Sequence, residues 1–576
     1  ARANRIIPTL AALCLALLVF GWFFLPPFDY KTLAKHIPNS LGFFSNIAYW
    51  KESGYFEAAS KEKWLLHTWS LSVEWQFYIL YPLVLITLKR FLTVQNLKKL
   101  LLITTLLGFI FSVIMTMAWP GGAYFLFPAR AWEMLLGGIA YIYPLSLDKK
   151  KSKLLEMAGL ALVLGSYIFI SEDAAWPGYL AAFPVFGAFL ILQAERNDSL
   201  LTGNVVFQKI GKWSYSIYLW HWPVVVAINY YLIENFAIPG LVISLLLGYL
   251  SYRFIESKKF PPFTQWKSIL KVKAVWMTLA VGSIALFIII NNGSESRYKD
   301  STVNLANSFS EKIVMPLRRN GYCYYYFDDD KSLTVDKHKG TECFLGDKES
   351  QKKVNTLVFG SSFAGHTDPF WDSIFKKEKQ PFQSVSTSWC SPIFSDDFTG
   401  PKSDTAYGQC LLNREFLKKS IQSNAFKNII FGDKWDDVLE QGYMDQFYDV
   451  VKLAASQGIH VFIMPVPTYY SINVRKQFLR AVYFDKLPLN LAKYEELNSN
   501  DVNEYLTEKF ANMENVYMIP KKALYSPTNT FQYNGITVPY SFEGRHQSVI
   551  GAINAASYFM KSESYDSVMS HFIFDK

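Results

Sequence analysis

The sequence predicts a chain of two parts, a polytopic bundle of membrane-spanning α-helices followed by a three-layer α/β domain with a parallel sheet. Long apolar stretches dominate up to Asn291, and polar and charged residues return at ordinary density after it. From Val354 onward, short apolar strands alternate with helical patterns. The length of 576 residues also favours more than one domain. We therefore expect a membrane domain over residues 1–291, an extension or linker over 292–350 and an α/β domain over 351–576.

The composition is that of a membrane protein. Aromatic residues make up 17% and charged residues 18% of the chain, which is rich in aromatics and poor in charge for a soluble protein. The net charge of +9 does not indicate nucleic-acid binding, because basic residues cluster in short loops between apolar stretches, where they set topology. We therefore expect membrane lipid, and no nucleic acid, among the partners.

About 20 apolar residues are needed to cross a bilayer as a helix. By this criterion nine spans are predicted, near residues 6–26, 75–91, 99–118, 123–143, 154–171, 178–194, 212–231, 237–255 and 272–291. Basic loops occur at Lys89–Lys99, at 148–153 and at Lys258–Lys273. The positive-inside rule makes these loops cytoplasmic, so the chain starts inside and the residues after Asn291 lie outside.

The cysteines fit this topology. Cys14 stands alone in an apolar stretch, whereas the other four lie in the second half of the chain. Four cysteines in an exported domain suggest two disulfides, for which three pairings are possible. We favour Cys323–Cys343 and Cys390–Cys410 because both loops are short, although spacing alone leaves the other pairings and four unpaired thiols open.

Three phrases in the first half carry the strongest motif signal. They are HTWSLSVEWQFY at His67–Tyr78, YFLFPARAWEMLLGG at Tyr124–Gly138 and SYSIYLWHWP at Ser214–Pro223. Together they resemble the acyltransferase-3 family of integral membrane acyl carriers. The resemblance implies that the first half handles acyl groups at a membrane.

The start of the chain, ARANRIIPTL, resembles a basic-arginine motif of the same family. In the family this motif follows two earlier transmembrane helices, which usually carry a histidine that is taken to be central to acyl transfer. We therefore expect the chain to be a fragment that lacks those two helices. The loss of an even number of spans leaves Ala1 on the cytoplasmic side, as the loop charges require.

Two arginines stand at the predicted cytoplasmic end of the first helix. Arg2 and Arg5 are ordinary positive-inside anchors on the sequence alone, but the resemblance favours contacts with the phosphates of an acyl-CoA donor, for which the planar guanidinium is suited. We expect no bound cofactor, and acetyl-CoA as the acyl donor. Arg253 and Glu256 lie three residues apart at another cytoplasmic helix end, where we expect both head groups to reach water.

Four residues are candidates for acyl transfer in the membrane half. Arg130 and Glu133 share one helical face, either as a structural ion pair or as the lining of a polar cavity. Glu74 is predicted to start a helix, where the helix dipole favours a carboxylate, and His67 lies just before it. The resemblance places all four in a site that activates a hydroxyl and stabilises an oxyanion. His221, between two tryptophans, is expected to be packed rather than catalytic.

The second half reads as a parallel α/β domain. Buried strands are predicted at 354–360, 428–432, 459–466 and 515–520, with a helix over 444–457. Ligands bind such folds at the carboxyl ends of the strands. Ser361 and Ser362 follow the first strand and therefore lie at this edge of the sheet.

An acid and a base share one short loop near the end of the chain. Glu543 precedes His546 by three residues in SFEGRHQSVIG, and a helix follows. With Ser362, this set resembles the SGNH hydrolase family over about Val354–Lys561, whose nucleophile follows the first strand and whose last block is D-x-x-H. The resemblance implies a serine activated by a histidine that a carboxylate orients. His366 is an alternative base, but its ring is expected to point away from the strand ends.

Three departures from the SGNH pattern are visible. The family phrase G-D-S-H has Asp where Ser361 stands and His where Phe363 stands, and the terminal acid is Glu543 rather than Asp. Trp435 matches a tryptophan of the third block in membrane-fused members. The segment SWCSP at 388–392 resembles the second block without its oxyanion glycine, which leaves the backbone N–H of Ser362 as the oxyanion donor that can be named.

The two resemblances together predict an O-acyltransferase of the bacterial inner membrane with an extracytoplasmic α/β domain. It would move acetyl from cytoplasmic acetyl-CoA across the bilayer to a sugar hydroxyl of a surface polysaccharide, such as O-antigen or peptidoglycan. Two alternatives stay open: an esterase that acts on envelope glycans, and a non-catalytic glycan-binding domain on an active membrane acyltransferase. No metal site is predicted.

Overall fold

The computed structural model describes residues 2–52, 60–171, 174–196, 198–258, 273–330, 332–349 and 352–574. The chain divides into two compact units, Ala1–Glu295 and Ser296–Lys576. The first unit is helical and the second is an α/β domain. This confirms the predicted fold class.

The helices of the first unit are α1 (Arg2–Phe24), α2 (Pro27–Leu41), α3 (Ser45–Lys51), α4 (Thr68–Leu88), α5 (Val94–Ala118), α6 (Pro120–Phe125), α7 (Phe127–Ile142), α8 (Lys149–Phe169), α9 (Ala182–Ala194), α10 (Val205–Tyr230), α11 (Ala237–Ser251) and α12 (Lys273–Ile290). A π-helical turn, Tyr252–Glu256, extends α11. Within the described ranges, six helices are long and apolar enough to cross a membrane: α1, α4, α5, α8, α11 with its extension, and α12. The other three predicted spans correspond to α7, α9 and α10.

The second unit contains α13 (Asp300–Lys312), α14 (Lys337–Thr341), α15 (Ser362–Gly365), α16 (Asp368–Lys377), α17 (Thr405–Gln422), α18 (Trp435–Glu440), α19 (Met444–Ser456), α20 (Val474–Tyr483), α21 (Asn498–Phe510), α22 (Lys521–Leu524), α23 (Val549–Phe559) and α24 (Ser564–Met569). Its strands are β1 (Phe344–Gly346), β2 (Thr356–Gly360), β3 (Pro381–Ser386), β4 (Asn428–Gly432), β5 (His460–Ile463), β6 (Tyr469–Tyr470), β7 (Glu495–Glu496), β8 (Val516–Met518), β9 (Thr530–Tyr533) and β10 (Ile536–Pro539). Six of these strands form the main sheet in the order β1-β3-β2-β4-β5-β8.

The main sheet is parallel except at one edge. β2 pairs in parallel with β3 and β4, β4 with β5, and β5 with β8, whereas β1 is antiparallel to β3. Side chains alternate between the two faces of the sheet. Leu357 and Phe359 of β2 pack with α17, α19 and α21, and Val358 packs with α16 and α23 on the opposite face. The result is a three-layer domain in which both faces of the sheet are buried.

The four predicted strands are present as β2, β4, β5 and β8. β1 and β3 are absent from the prediction, because FLG is very short and PFQSVS is too polar to show the pattern of a buried strand. β1 also lies within the stretch 292–350, which contains α13 and α14 as well. The aromatic rings of Tyr324 and Tyr325 in that stretch are buried.

Two disulfides join the favoured cysteine pairs. Cys323 bonds Cys343 with an S–S distance of 2.03 Å, and Cys390 bonds Cys410 at 2.09 Å. The first bond links the Tyr-rich segment to β1, and the second ties the loop after β3 to α17. Cys14 is buried in α1 as a free thiol. The predicted pairing is therefore confirmed.

Candidate active site

The turn after β2 places two serines at the carboxyl edge of the sheet. Gly360 ends β2 with a φ of +151°, and a Cβ at this position would lie 1.9 Å from the carbonyl oxygen of Gly432 in β4. Only glycine allows the two strands to approach this closely before the turn. Ser361 then caps α15, because its Oγ accepts a hydrogen bond from the backbone N–H of Phe363 at 3.3 Å. Ser362 is the first residue of α15.

The structure brings the three predicted triad residues together. The Ser362 Oγ lies 2.8 Å from Nε2 of His546, and Nδ1 of His546 lies 2.7 Å from Oε1 of Glu543. Ser362 is 2% exposed and His546 is 4% exposed, so their contact is shielded from water. This geometry allows the imidazole to take the hydroxyl proton while the carboxylate holds the ring in the required tautomer.

The loop that carries Glu543 and His546 is fixed by its backbone. Glu543 also accepts from the backbone N–H of His546, at 3.2 Å. Gly544 has a φ of +119°, and its carbonyl oxygen accepts from the N–H of Tyr470 at 2.9 Å. Ser548 caps α23 by accepting from the N–H of Gly551 at 3.0 Å. The loop is therefore held in its middle and at its C-terminal end, which fixes the positions of Glu543 and His546 relative to each other.

A second histidine lies beside the triad. The rings of His366 and His546 have centroids 5.6 Å apart, so the prediction that His366 points away from the strand ends is wrong. Its Nδ1 accepts from the backbone N–H of Gln547 at 3.4 Å. Burial first, and the nearby His546 second, lower the pKa of His366 well below its usual value, which keeps this ring neutral. His366 packs behind the base, whereas His546 contacts the serine.

The structure also explains the serine that replaces the family aspartate before the nucleophile. The side chain of Asp433, at the end of β4, lies beside Ser361 and Ser391. Burial raises the pKa of Asp433 to about 6, and the two serine hydroxyls lower it in part. A buried carboxyl group is thus present next to Ser361, but β4 supplies it. A sequence pattern read along the nucleophile segment alone does not reveal it.

The loop after β3 runs beside the nucleophile. Gly360 pairs with Ser386 across β2 and β3, so the residues that follow each strand lie alongside one another. Trp389 in this loop has a φ of +56°, a left-handed conformation that usually requires glycine. Its ring packs on Gly400, where any side chain would clash with the indole. The backbone at 389 therefore has a conformation that favours glycine, although the residue is a tryptophan.

Trp435 packs in the hydrophobic core of the domain rather than in the candidate site. Its indole is fully buried, stacks on Phe447 with centroids 4.5 Å apart, and donates a hydrogen bond to the carbonyl oxygen of Met464 at 2.8 Å. Among the described residues, no group of three or more histidine, cysteine, aspartate or glutamate side chains is arranged to hold a metal ion.

In the first unit, the predicted pair in α7 forms. The Arg130 Nε lies 2.8 Å from Oε1 of Glu133, with both side chains largely buried. The guanidinium lies over the ring of Trp69, 5.4 Å from its centroid. Trp69 is two residues after His67, so the start of α4 and the first turns of α7 meet.

His67 directly precedes α4, makes no side-chain capping hydrogen bond to it, and is buried among aromatic rings. Its centroid is 5.3 Å from that of Tyr218 and 5.9 Å from that of His221, both of which belong to α10. The hydroxyl of Tyr218 donates to the carbonyl oxygen of His67. His221 Nδ1 lies 2.6 Å from the carbonyl oxygen of Tyr218, which agrees with the expectation of a packed histidine.

Glu74 does not start a helix, because α4 begins at Thr68. The prediction was wrong because the helix includes the polar TWSLS segment, and the dipole argument for Glu74 therefore fails. Its Oε2 accepts from the hydroxyl of Tyr78 at 3.4 Å. The guanidinium of Arg2 lies 3.9 Å from the centroid of the Tyr78 ring. Arg2 and Glu74 thus meet at the same tyrosine.

Arg5 is exposed and pairs with a buried carboxylate. Its Nε lies 2.6 Å from Oε1 of Glu256, whose Oε2 accepts from Ser216 Oγ at 2.7 Å. The expectation that Glu256 reaches water is wrong, because the carboxylate is buried against α1 and α10. A cavity of about 570 Å³ lies here, lined by Arg5, Lys212 and Glu256 among others. Arg5 therefore has both a structural partner and an accessible cavity.

A further acid–base pair was not predicted. His36 of α2 is buried, and its Nε2 lies 3.0 Å from Oε1 of Glu52, which also pairs with Lys63 at 3.3 Å. The sequence signal for His36 is weak, because KTLAKHIPNS reads as an outer loop until α2 is known to be a helix.

The fold and the site define a class of protein in which an apolar helical unit is followed by an α/β domain. The α/β domain carries a serine–histidine–glutamate triad. Residues 1–253 match the family described as an acyltransferase domain, and residues 323–561 match the SGNH domain described as fused to such acyltransferase domains. The chain belongs to the acyltransferase-3 proteins that carry a fused SGNH domain, which confirms both resemblances.

Curated relatives match about half of the chain. The O-acetyltransferase OatA of Staphylococcus aureus (strain NCTC 8325 / PS 47) is 30% identical over 280 residues, 44% of this chain and 46% of the relative. BcsY of Komagataeibacter xylinus, named as a membrane-bound transacylase, is 29% identical over 269 residues, 44% of this chain and 67% of the relative. The chain thus spans about half the length of OatA.

One solved structure was matched over part of the chain. It is the periplasmic domain of a lipopolysaccharide acetyltransferase from Salmonella ser. Paratyphi A, with a TM-score of 0.33 and 14% sequence identity. The match covers 47% of this chain and 97% of that domain.

Proposed function

We propose that this protein O-acetylates a cell-surface polysaccharide. The observation that carries the proposal is the Ser362–His546–Glu543 triad in the same chain as an acyltransferase-3 domain. The names of the relatives, an O-acetyltransferase and a lipopolysaccharide acetyltransferase domain, support this substrate class. The acceptor is a surface polysaccharide such as O-antigen or peptidoglycan.

The triad supports transfer by a covalent intermediate. Ser362 Oγ attacks the carbonyl carbon of the incoming acetyl group, and His546 Nε2 takes the serine proton. The leaving group departs with that proton and leaves acetyl-serine. A sugar hydroxyl then attacks this ester, gives its proton to His546, and the proton returns to Ser362 as the acetylated sugar departs. The burial of Ser362 and His546 supports transfer over hydrolysis, since water must be excluded from the acetyl-enzyme.

The helical unit would supply the acetyl group from cytoplasmic acetyl-CoA. The cavity at Arg5 supports a donor site there, because Arg5 and Lys212 supply positive charge for phosphate groups. Arg2 is a second phosphate contact in this proposal. His67, Glu74, Arg130 and Glu133 would act in acyl transfer within the unit.

The location in this proposal is the inner membrane, with the SGNH domain outside the cytoplasm. The basic loops support this topology, because they alternate with less basic ones and set cytoplasmic sides. The two disulfides of the second unit support an oxidising compartment.

Mass spectrometry of surface glycans from complemented deletion strains tests the proposal. Ser362→Ala should abolish glycan acetylation, while Ser423→Ala, an exposed serine of the same domain, should leave it unchanged. Arg130→Ala should also lower it, because the helical unit is required. Full acetylation in the Ser362→Ala strain would reduce the SGNH domain to a glycan-binding module. Unchanged acetylation in Arg130→Ala, with donor-independent acetate release by the purified protein, would instead indicate an esterase.

A further inference from the structure

We propose that a cavity at the carboxyl ends of β5 and β8 binds uncharged sugar units of the acceptor glycan. The inference rests on the proposed function, since it names the substrate class of the same domain. The cavity has a volume of about 930 Å³, near the upper end of the range for ligand pockets of roughly 300–1,000 Å³.

The cavity lies at the functional edge of the sheet. Pro465 and Thr468, which line it, follow β5, and Ile519 and Pro520 follow β8. β5 and β8 run parallel to β2, so their carboxyl ends point to the same edge as Ser362. A polymeric acceptor that presents one sugar to the triad can thus place further sugars along this edge.

The lining matches hydroxyl groups better than anions. Carboxylates come from Glu495, Glu504 and Glu508, and ammonium groups come from Lys521 and Lys522. Three carboxylates against two lysines disfavour a polyanionic glycan by like-charge repulsion. Carboxylate, amide and hydroxyl groups, in contrast, exchange hydrogen bonds readily with sugar hydroxyls. The cavity therefore fits a neutral, polyhydroxylated chain.

Part of the lining is already held in place by the protein. Lys521 Nζ donates to Oδ1 of Asn500 at 2.8 Å, and Asn529 Nδ2 donates to Oε1 of Glu495 at 3.2 Å. Burial lowers the pKa of Lys521 to about 8, opposed by Glu495. These contacts orient polar side chains around the cavity, and such preorganisation lowers the entropy cost of binding.

A small chamber of about 10 Å³, with room for about one hydroxyl group, lies between the cavity and the loop of the catalytic base. The two share Thr468, Tyr525 and Asn529, and the chamber is also lined by Ser541 and Gln547. Gln547 directly follows His546, and the hydroxyl of Ser541 lies 3.4 Å from the carbonyl oxygen of His546. A sugar bound in the cavity would therefore lie close to the backbone that positions His546.

Gln547 supplies a second, independent indication of a ligand. It is 2% exposed, and its Oε1 has no hydrogen-bond partner among the residues that the structure describes. Its Nε2 donates to the Tyr525 hydroxyl. A buried acceptor left unsatisfied costs about 1–3 kcal/mol, and a sugar hydroxyl that enters the chamber would remove this cost.

Saturation-transfer NMR on the full-length Ser362→Ala protein in detergent tests the site without turnover. The probes are a tetramer of N-acetylglucosamine, which is uncharged, and a tetramer of galacturonic acid, which is acidic. The uncharged tetramer should bind, and Thr507→Trp, which fills the cavity from an exposed position of α21, should weaken it at least tenfold. Ser456→Trp, at an exposed position of α19, is the matched control and should bind like the parent.

Glu504→Gln with Glu508→Gln keeps the proposal testable if Thr507→Trp does not fold. The double variant should bind the uncharged tetramer at least threefold more weakly, because amides replace the stronger carboxylate acceptors. Unchanged binding in the folded variants, binding of the acidic tetramer alone, or binding of neither tetramer would overturn the proposal. None of these results depends on glycan acetylation in the Ser362→Ala strain, so failure of the site and failure of the proposed function are distinguishable.

Discussion

At the scale of single residues, the triad uses a glutamate where the SGNH pattern has an aspartate. Glu543 still reaches Nδ1 of His546 at 2.7 Å, because the side chain also folds back to the N–H of His546 at 3.2 Å. The longer side chain is thus accommodated by a local contact within the same loop. The identity of the acid matters less than the negative charge that it places beside the imidazole.

Replacement of that charge gives the first prediction. Glu543→Gln should lower acetyl transfer by roughly 10³-fold, because the amide neither stabilises the imidazolium nor fixes the tautomer in which Nε2 faces serine. Glu543→Asp retains the charge with a shorter reach and should keep more activity than Glu543→Gln. Single-turnover acetyl transfer, with thermal melting to show that both variants fold, measures the effect. Equal rates in Glu543→Gln and the wild type would show that the carboxylate does not act on His546.

The side chains of Ser361 and Asp433 are neighbours, and this contact gives the second prediction. Ser361→Asp restores the family residue but sets two buried carboxyl groups side by side, and should destabilise the protein by about 2 kcal/mol at pH 8. Adding Asp433→Asn removes one charge and should recover at least half of the loss. Melting temperatures of the four proteins in the double-mutant cycle give the coupling. Additive effects of the two changes would mean that the side chains do not interact.

At the scale of elements, the catalytic loop depends on one glycine. Gly544 has a φ of +119°, and a Cβ there would lie 2.6 Å from the carbonyl oxygen of Ile472 and 2.8 Å from that of Tyr470. Both neighbours are backbone atoms of the segment around β6, so they cannot rotate away. The loop must move instead, and Glu543 and His546 move with it.

Gly544→Ala should therefore reduce acetyl transfer by about 100-fold, the cost of a displacement of about 1 Å in a catalytic geometry. Gly535→Ala is the matched control: its φ is +78° in the β9–β10 turn, but a Cβ there meets open space. Both changes should lower the melting temperature through backbone strain, and only Gly544→Ala should lower the transfer rate. Similar rates in the two variants would contradict the assigned role of the loop.

At the scale of elements, only part of the fold and of the candidate site could be predicted from the sequence. β2, β4, β5 and β8 and the E-x-x-H loop could be predicted because they are local apolar runs or short motifs. The positions of Asp433, Trp389 and His366 could not, because each depends on which strand ends lie side by side. Sequence spacing does not report that adjacency. The helix start at Thr68 was missed because polar residues of α4 pack inside the unit rather than facing lipid.

At the scale of the whole molecule, the chain forms two compact units, and polar groups are buried in both. In the helical unit, Glu256 is paired with Arg5 and Glu133 with Arg130. Charged groups in such surroundings are tolerated when they are paired. In the α/β unit, the buried carboxyl groups of Asp368 and Asp433 have hydroxyl and backbone groups as hydrogen-bond partners. The two units should therefore respond differently to pH.

Asp368 gives a pH-dependent test of this difference. It is buried at the start of α16 and accepts from Ser384 Oγ at 2.7 Å and from the N–H of Cys323 at 2.9 Å. Burial raises its pKa to about 7, and these two hydrogen bonds lower it in part. The unfolded chain ionises this group near pH 4, so between about pH 4 and pH 7 the folded state binds more protons. Stability should fall as pH rises through this window.

Asp368→Asn removes the titration and should melt with a weaker pH dependence than the wild type. From pH 5 to pH 8 the free energy of unfolding of the wild type should fall relative to Asp368→Asn by about 3 kcal/mol, at 1.36 kcal/mol for each pKa unit. Thermal melting of the SGNH-domain transition in the full-length protein in detergent measures this. Asp501→Asn, an exposed aspartate in α21, should follow the wild-type slope. Parallel slopes for the wild type and Asp368→Asn would show that Asp368 is ionised in the folded protein throughout the range.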